Sequence, residues 1–121
     1  MIAYLAHPVG YDSDERKLNL DNVQKWFLWL IHNTDLTINV PWFIYVSNLD
    51  ESYRKRALRD DLRILDTCQV IILTGGRISE GMATELTLAR QRGMKVIDLT
   101  SAGYSPDDHP EITERLKELF R

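Results

Sequence analysis

The four aliphatic residues Val70-Ile71-Ile72-Leu73 stop abruptly at Thr74-Gly75-Gly76, and the residues beyond that turn read as a helix. A short run without a polar residue is the pattern of a strand covered on both faces, and such strands belong to parallel sheets flanked by helices. Residues 69–73 are therefore expected to form the central strand, and the rest of the chain has to be compatible with that arrangement.

A second run, Ile2-Ala3-Tyr4-Leu5-Ala6, closes at His7-Pro8. Proline drives its predecessor into an extended conformation, so this reads as a first strand followed by a loop. From Glu15 to about His32, Leu20, Val23, Phe27 and Leu30 recur at helical spacing and predict an amphipathic helix. Thr37 to Phe43 reads as a second strand, because Thr37, Ile38 and Val40 are β-branched and Trp42 and Phe43 are aromatic, with Pro41 marking an edge or a strand end. Glu51 to Thr67 reads as a helix that turns Leu58, Leu62 and Leu65 inward and Arg54, Lys55, Arg56 and Arg59 to solvent. A further helix is expected from Glu80 to Arg92, with Ser79 as N-cap and Gly93 as its stop. Lys95 to Leu99 then reads as a strand, and His109 to Phe120 as a last helix with Asp107 or Asp108 near its start.

Strands alternating with helices predict a flavodoxin- or Rossmann-like α/β fold, a parallel sheet of about four to five strands with helices on both faces. Its 121 residues suit one domain. Ligands in such sheets bind beyond the carboxyl ends of the strands where successive helices change face, so the loops after the first and third strands are expected to frame a site.

Composition narrows the partners. With 44% hydrophobic and 27% charged residues the chain reads as a soluble globular domain, and a net charge of -3 gives no footprint for a nucleic-acid polymer. No aliphatic run approaches the ~20 residues of a membrane span, and no basic leader precedes the first strand. Cys68, the one cysteine, excludes an intramolecular disulfide, suggests a cytoplasmic setting and reads as inert packing rather than a nucleophile. Neither a metal nor an organic cofactor is called for.

The chemistry-bearing segment is Thr74-Gly75-Gly76-Arg77-Ile78-Ser79-Glu80-Gly81-Met82-Ala83-Thr84-Glu85. Gly75 and Gly76 permit a turn closed to other residues, and the N-terminus of the following helix suits an anion. Neither a phosphate-binding lysine loop nor a dinucleotide fingerprint is present. Glu85 lies one turn after Gly81, and Gly81, Ala83 and Ala89 are expected to leave space around it. One of Asp60, Asp61 and Asp66 is expected to approach it, and acidic residues on helices are otherwise solvated. A pair of carboxyl groups flanking a glycosidic bond can supply a nucleophile and a proton donor.

Three segments carry a resemblance: Tyr4-Leu5-Ala6-His7-Pro8, the stretch from Asp61 through Gln69 into Val70-Ile71-Ile72-Leu73, and Gly81-Met82-Ala83-Thr84-Glu85-Leu86. Together they resemble the nucleoside 2-deoxyribosyltransferase superfamily, which includes the 2-deoxynucleoside 5-phosphate N-hydrolases. The likeness runs in order from Met1 to about Leu99, and is nearest to small phage and bacterial members with a Gly-Gly-Arg-Ile-Ser-x-Gly-Met segment. It implies that Glu85 is the nucleophile that attacks the anomeric carbon and that Asp61, with Asp60 as fallback, handles the proton. It also implies that Ser79 meets a substrate phosphate and that Tyr4 lies near the sugar. The loop His7-Pro8-Val9-Gly10-Tyr11 departs from the glycine- and arginine-rich loop of the hydrolase branch, so that branch's phosphate contacts are not reproduced.

The expected activity is cleavage or transfer of the N-glycosidic bond of a nucleoside or nucleoside 5-monophosphate, by an enzyme without cofactor that assembles as a homo-oligomer. His7, Pro8, Trp42, Gly75, Gly76, Arg77, Ser79, Gly81 and Met82 are the expected substrate-binding residues. Trp42 would stack on a base, and His7 and Arg77 are each either an anion contact or a structural residue. Asn19 and Asn22 are weaker pocket candidates. The alternatives are a non-catalytic nucleotide-sequestering protein and an interaction module whose interface uses Trp26 and Trp29.

Overall fold

The computed structural model describes residues 1–48 and 50–120. Among these, four strands, β1 (Ile2–Ala6), β2 (Thr37–Asn39), β3 (Val70–Leu73) and β4 (Lys95–Asp98), form a wholly parallel sheet in the order β2-β1-β3-β4. In register, Tyr4 pairs with Ile71 and Ile71 with Val96. All of β3 is buried between β1 and β4, as its lack of polar residues predicts. The fold is the expected Rossmann-like parallel α/β arrangement.

Five helices accompany the sheet among the described residues: α1 (Ser13–Asn33), α2 (Trp42–Asn48), α3 (Arg54–Leu65), α4 (Glu80–Gln91) and α5 (Pro110–Leu116). The chain leaves β1 toward β2 on one side and later passes back over β1 to β3, so right-handed crossovers put α1 on one face and α3 and α4 on the other. Asp12 starts α1 by accepting a hydrogen bond from the Glu15 amide at 2.8 Å, and Ser79 does the same for α4 through the Met82 amide at 3.3 Å. Val23, Trp26 and Leu30 of α1 and Leu65 of α3 join β1 and β3 in one hydrophobic core.

Three expectations need correction. The second strand ends at Asn39, and Trp42 and Phe43 open α2 instead of extending β2. Proline at 41 supplies no ladder N–H and suits a helix entry. The Trp42 indole N–H donates to the Leu5 carbonyl at 2.9 Å and the ring is buried. That burial contributes about 1.5–3 kcal/mol, more than the roughly 1 kcal/mol spanned by strand propensities.

The helix expected over Glu51–Thr67 is divided into a 3-10 turn, Glu51–Tyr53, and α3, and its Leu58 is 41% exposed rather than packed inside. The last helix likewise gives way to a 3-10 turn over Lys117–Phe120. Neither Asp107 nor Asp108 caps α5: His109 holds the cap position, while Asp108 accepts from the Ser105 amide at 2.9 Å.

Candidate active site

At the carboxyl ends of β1 and β3 a cleft of about 340 Å³ is walled by the loop after β1, the α2–α3 segment and the start of α4. The topology explains its position, since β1 and β3 are neighbours from which the chain departs in opposite directions. Trp42, Tyr45 and Tyr53 give it aromatic walls, and Asp61 and Glu85 bring carboxyl groups into it.

Glu85 is 8% exposed and Asp61 is 7% exposed. Tyr4, fully buried in β1, interacts with the Glu85 carboxyl, although its hydroxyl makes no full hydrogen bond among the described residues. Tyr4 Oη and Asp61 Oδ1 are the two buried side-chain oxygens without a hydrogen-bond partner among the described residues. Buried polar atoms are nearly always paired, so the unpaired Asp61 Oδ1 in the cleft wall marks a place built for something else to bind, with the unpaired Tyr4 Oη in the core beside Glu85.

The electrostatics derive from this burial. Loss of water pushes the Glu85 carboxyl up to about 7, the charge of Asp61 adds to the rise, and the Tyr4 hydroxyl opposes it. Burial likewise pushes Asp61 up to about 7, with Asp60 adding to it. Tyr4 is raised far above the ordinary phenol range by burial and by the two carboxylates, so it stays an O–H donor. A donor therefore favours the anion at Glu85, and nothing comparable favours it at Asp61.

The other two acids are engaged elsewhere. Asp60 accepts from the Tyr45 hydroxyl at 2.5 Å and pairs with Arg59 at 3.2 Å and Arg56 at 3.6 Å. The Tyr45 hydrogen bond holds its carboxyl below the usual range. Asp66 pairs with Arg92 at 2.6 Å. Of the three aspartates, Asp61 is thus the one that lines the cleft with Glu85.

The expected binding residues divide into two groups. His7, Trp42, Arg77, Ser79, Gly81 and Met82 line the cleft, whereas Pro8, Gly75 and Gly76 line a separate shallow depression beside Tyr104. Gly75 serves the turn itself, because at φ +93° an added Cβ would lie 2.5 Å from Pro8 Cδ and 2.9 Å from His7 Nε2. At Gly81, by contrast, an added Cβ meets nothing within 4 Å, so its openness enlarges the cleft. Ala83 and Ala89 do not share that role: Ala83 faces solvent and Ala89 lies in the core.

His7 lines the cleft with both ring nitrogens engaged. Nδ1 donates to the Pro8 carbonyl at 2.7 Å and Nε2 accepts from Asn22 Nδ2 at 2.8 Å, an arrangement that requires the neutral ring. Burial lowers its pKa to about 4. Asn22 also donates to the Tyr104 carbonyl at 2.6 Å, as does the Trp26 indole at 2.8 Å. Asn22 therefore ties the loop after β1 to the segment after β4, and Asn19 accepts from the Tyr104 hydroxyl at 2.8 Å. Trp29 packs edge-on against Trp26 and Phe120.

Tyr11, Arg16, Tyr45, Tyr53 and Arg54 also line the cleft, although no motif in the sequence points to them. Their signal is weak because they come from the loop after β1, the first turn of α1 and the α2–α3 segment, which only the tertiary fold brings together. Among the described residues no helix is long and apolar enough to cross a membrane, and no three His, Cys, Asp or Glu side chains are grouped to hold a metal ion.

A parallel α/β fold with two buried carboxyl groups at its switch point defines the class. The chain belongs to the family described as Domain of unknown function (DUF7768), whose model matches residues 2–99. That span holds the whole sheet together with Tyr4, Asp61 and Glu85, and ends before α5. No curated protein matches the chain.

Proposed function

We propose that the protein cleaves or transfers the N-glycosidic bond of a nucleoside or nucleoside 5-monophosphate, in the manner of the nucleoside 2-deoxyribosyltransferase superfamily that the sequence resembles. The observation that carries this reading is the pair of buried carboxyl groups, Asp61 and Glu85, lining one cleft, with Asp61 Oδ1 lacking a hydrogen-bond partner. Aromatic walls suit a planar base, and the carboxyl groups suit the two jobs at the anomeric carbon.

In this mechanism a Glu85 oxygen attacks C1′ as the C1′–N bond breaks, and the electron pair of that bond leaves with the base. Asp61 gives its proton to the departing nitrogen, and Tyr4 steadies the Glu85 anion before attack. The glycosyl ester on Glu85 is then opened by water, whose proton returns to Asp61, or by the nitrogen of a second base. Water gives hydrolysis and a base gives transfer. The protein acts in the cytoplasm and as a homo-oligomer in this reading, and the rim residues Tyr11, 82% exposed, and Tyr53, 46% exposed, offer surface for a neighbouring copy.

The test is chromatographic detection of free base from ribo- and deoxyribonucleosides and their monophosphates, with and without an acceptor base. Wild type is expected to release base and Glu85→Ala to lose about a thousandfold or more of that rate, the loss expected when the reacting group itself is removed. Saturable binding with no release from any substrate would instead establish a sequestering protein.

A further inference from the structure

The cleft carries a second set of charges that bond cleavage does not use. Arg16 in the first turn of α1 and Arg54 at the start of α3 both line it, and so does Glu51 in the 3-10 turn between α2 and α3. The Glu51 carboxylate bridges the two arginines: Oε1 lies 3.9 Å from Arg16 Nη1, and Oε2 lies 3.9 Å from Arg54 Nη1. Two guanidinium groups from elements far apart in sequence are thus drawn onto one anion at the cleft.

The bridge is loose. A charged N–H to oxygen hydrogen bond closes to about 2.7–2.9 Å, so neither contact is one. The Glu51 side chain is 69% exposed and Arg54 72%, an environment in which an ion pair contributes little. Arg16 is the better fixed of the two, at 31% exposed and with its Nε donating to the Asp12 carbonyl at 3.4 Å. A phosphate monoester brings more charge than a carboxylate and three oxygens, and it can meet each planar guanidinium with two hydrogen bonds. Glu51 needs only to swing into solvent to make way for it.

We infer that Arg16 and Arg54 are the recognition pair for a phosphate monoester on the substrate, and that Glu51 is its internal stand-in, displaced when the phosphate enters. The inference rests on the nucleotide reading above and selects the monophosphate over the bare nucleoside. A neutral nucleoside leaves the bridge closed, so Glu51 acts as a specificity-determining residue: it lowers affinity for the anionic ligand and leaves the neutral one alone.

The test measures binding rather than turnover, by quenching of intrinsic tryptophan fluorescence in the Glu85→Gln background, with 2′-deoxynucleosides and their 5′-monophosphates as probes. Glu51→Gln is expected to raise monophosphate affinity about two- to fivefold, the scale of an exposed ion pair, with nucleoside affinity unchanged. Arg54→Gln and Arg16→Gln are each expected to lower monophosphate affinity about tenfold or more, as loss of a charge-assisted hydrogen bond implies, again sparing the nucleoside.

Equal effects on both ligands, no effect on either, or no saturable monophosphate binding would overturn the inference. Glu51 and Arg54 have exposed side chains and Arg16 is half-buried, and matching far-ultraviolet circular dichroism and melting curves check that the variants fold. Should wild type release no base while the split between ligands still depends on Glu51 and the arginines, the phosphate site stands and the glycosidic reading falls. Release that depends on Glu85 without such a split leaves the glycosidic reading standing and removes the phosphate site.

Discussion

Replacing Glu85 with glutamine should make the protein more stable in mild alkali and no more stable in acid. The carboxyl group is 8% exposed, and burial, helped by the charge of Asp61, pushes it from 4.5 to about 7 against the pull of the Tyr4 hydroxyl. A carboxyl whose folded pKa is raised binds its proton more tightly folded than unfolded. Its contribution is fully present below the unfolded pKa and lost as pH rises through the folded one. At about 1.4 kcal/mol for each tenfold change in proton affinity, wild type loses about 3 kcal/mol between about pH 4.5 and pH 8. Glutamine keeps the shape and an acceptor for Tyr4 but never becomes an anion, so it escapes that loss. Urea unfolding followed by circular dichroism at about pH 4.5, 6, 7 and 8.5 reads the gap directly, and two-state behaviour is expected at this size. The gap should be near zero at the acid end and open to about 3 kcal/mol at the other, less whatever Asp61 recovers once its charged neighbour is gone. A gap constant with pH, or none at about pH 8.5, would refute the claim that Glu85 is held in the cleft as a strained acid.

Base release should follow a bell-shaped pH profile centred near neutrality, because Glu85 must be ionised and Asp61 protonated and each is pushed up to about 7. Tyr4→Phe removes the donor that lowers Glu85 and should move the acid limb of that profile upward by about one pH unit, whereas an unmoved limb would show that Tyr4 does not act on Glu85. Asn22→Leu leaves His7 Nε2 without its donor and the Tyr104 carbonyl with the Trp26 indole alone, and should lower stability by about 1–3 kcal/mol in urea unfolding. A loss under about 0.5 kcal/mol would mean that the contact between the two loops carries no weight.

The parts of the fold legible in the sequence are those where burial leaves a local pattern. β1 and β3 are apolar on both faces and stand out as runs, and α1 repeats Val23 and Leu30 at helical spacing, while its start at Ser13 behind the Asp12 cap lies two residues ahead of the expected one. Trp42 and Phe43 mislead because their composition suits a strand, while what decides their conformation is a hydrogen bond to Leu5, distant in sequence. The site is legible to the same degree. Glu85 stands out through its position on a helix after a glycine turn, but three aspartates compete for the role beside it. What separates them is tertiary: Tyr45, Arg56 and Arg59 take Asp60, Arg92 takes Asp66, and Asp61 remains. Arg16, Arg54 and Tyr53 reach the cleft only because α1 and the α2–α3 segment meet there, which no spacing along the chain reveals.

The same geometry that makes the site costly makes it asymmetric. Tyr4 sits in the register of a central strand, opposite Ile71, where an apolar side chain would satisfy the core without an orphaned hydroxyl. Such an unpaired buried group costs about 1–3 kcal/mol, and Asp61 adds a second. Local rules that fail together at one point of an otherwise consistent fold mark function rather than poor packing. The hydroxyl also does what no apolar residue at that position can: it lowers the Glu85 carboxyl against the rise that burial gives it. In the proposed mechanism that bias gives the nucleophile's part to Glu85 and the proton donor's part to Asp61.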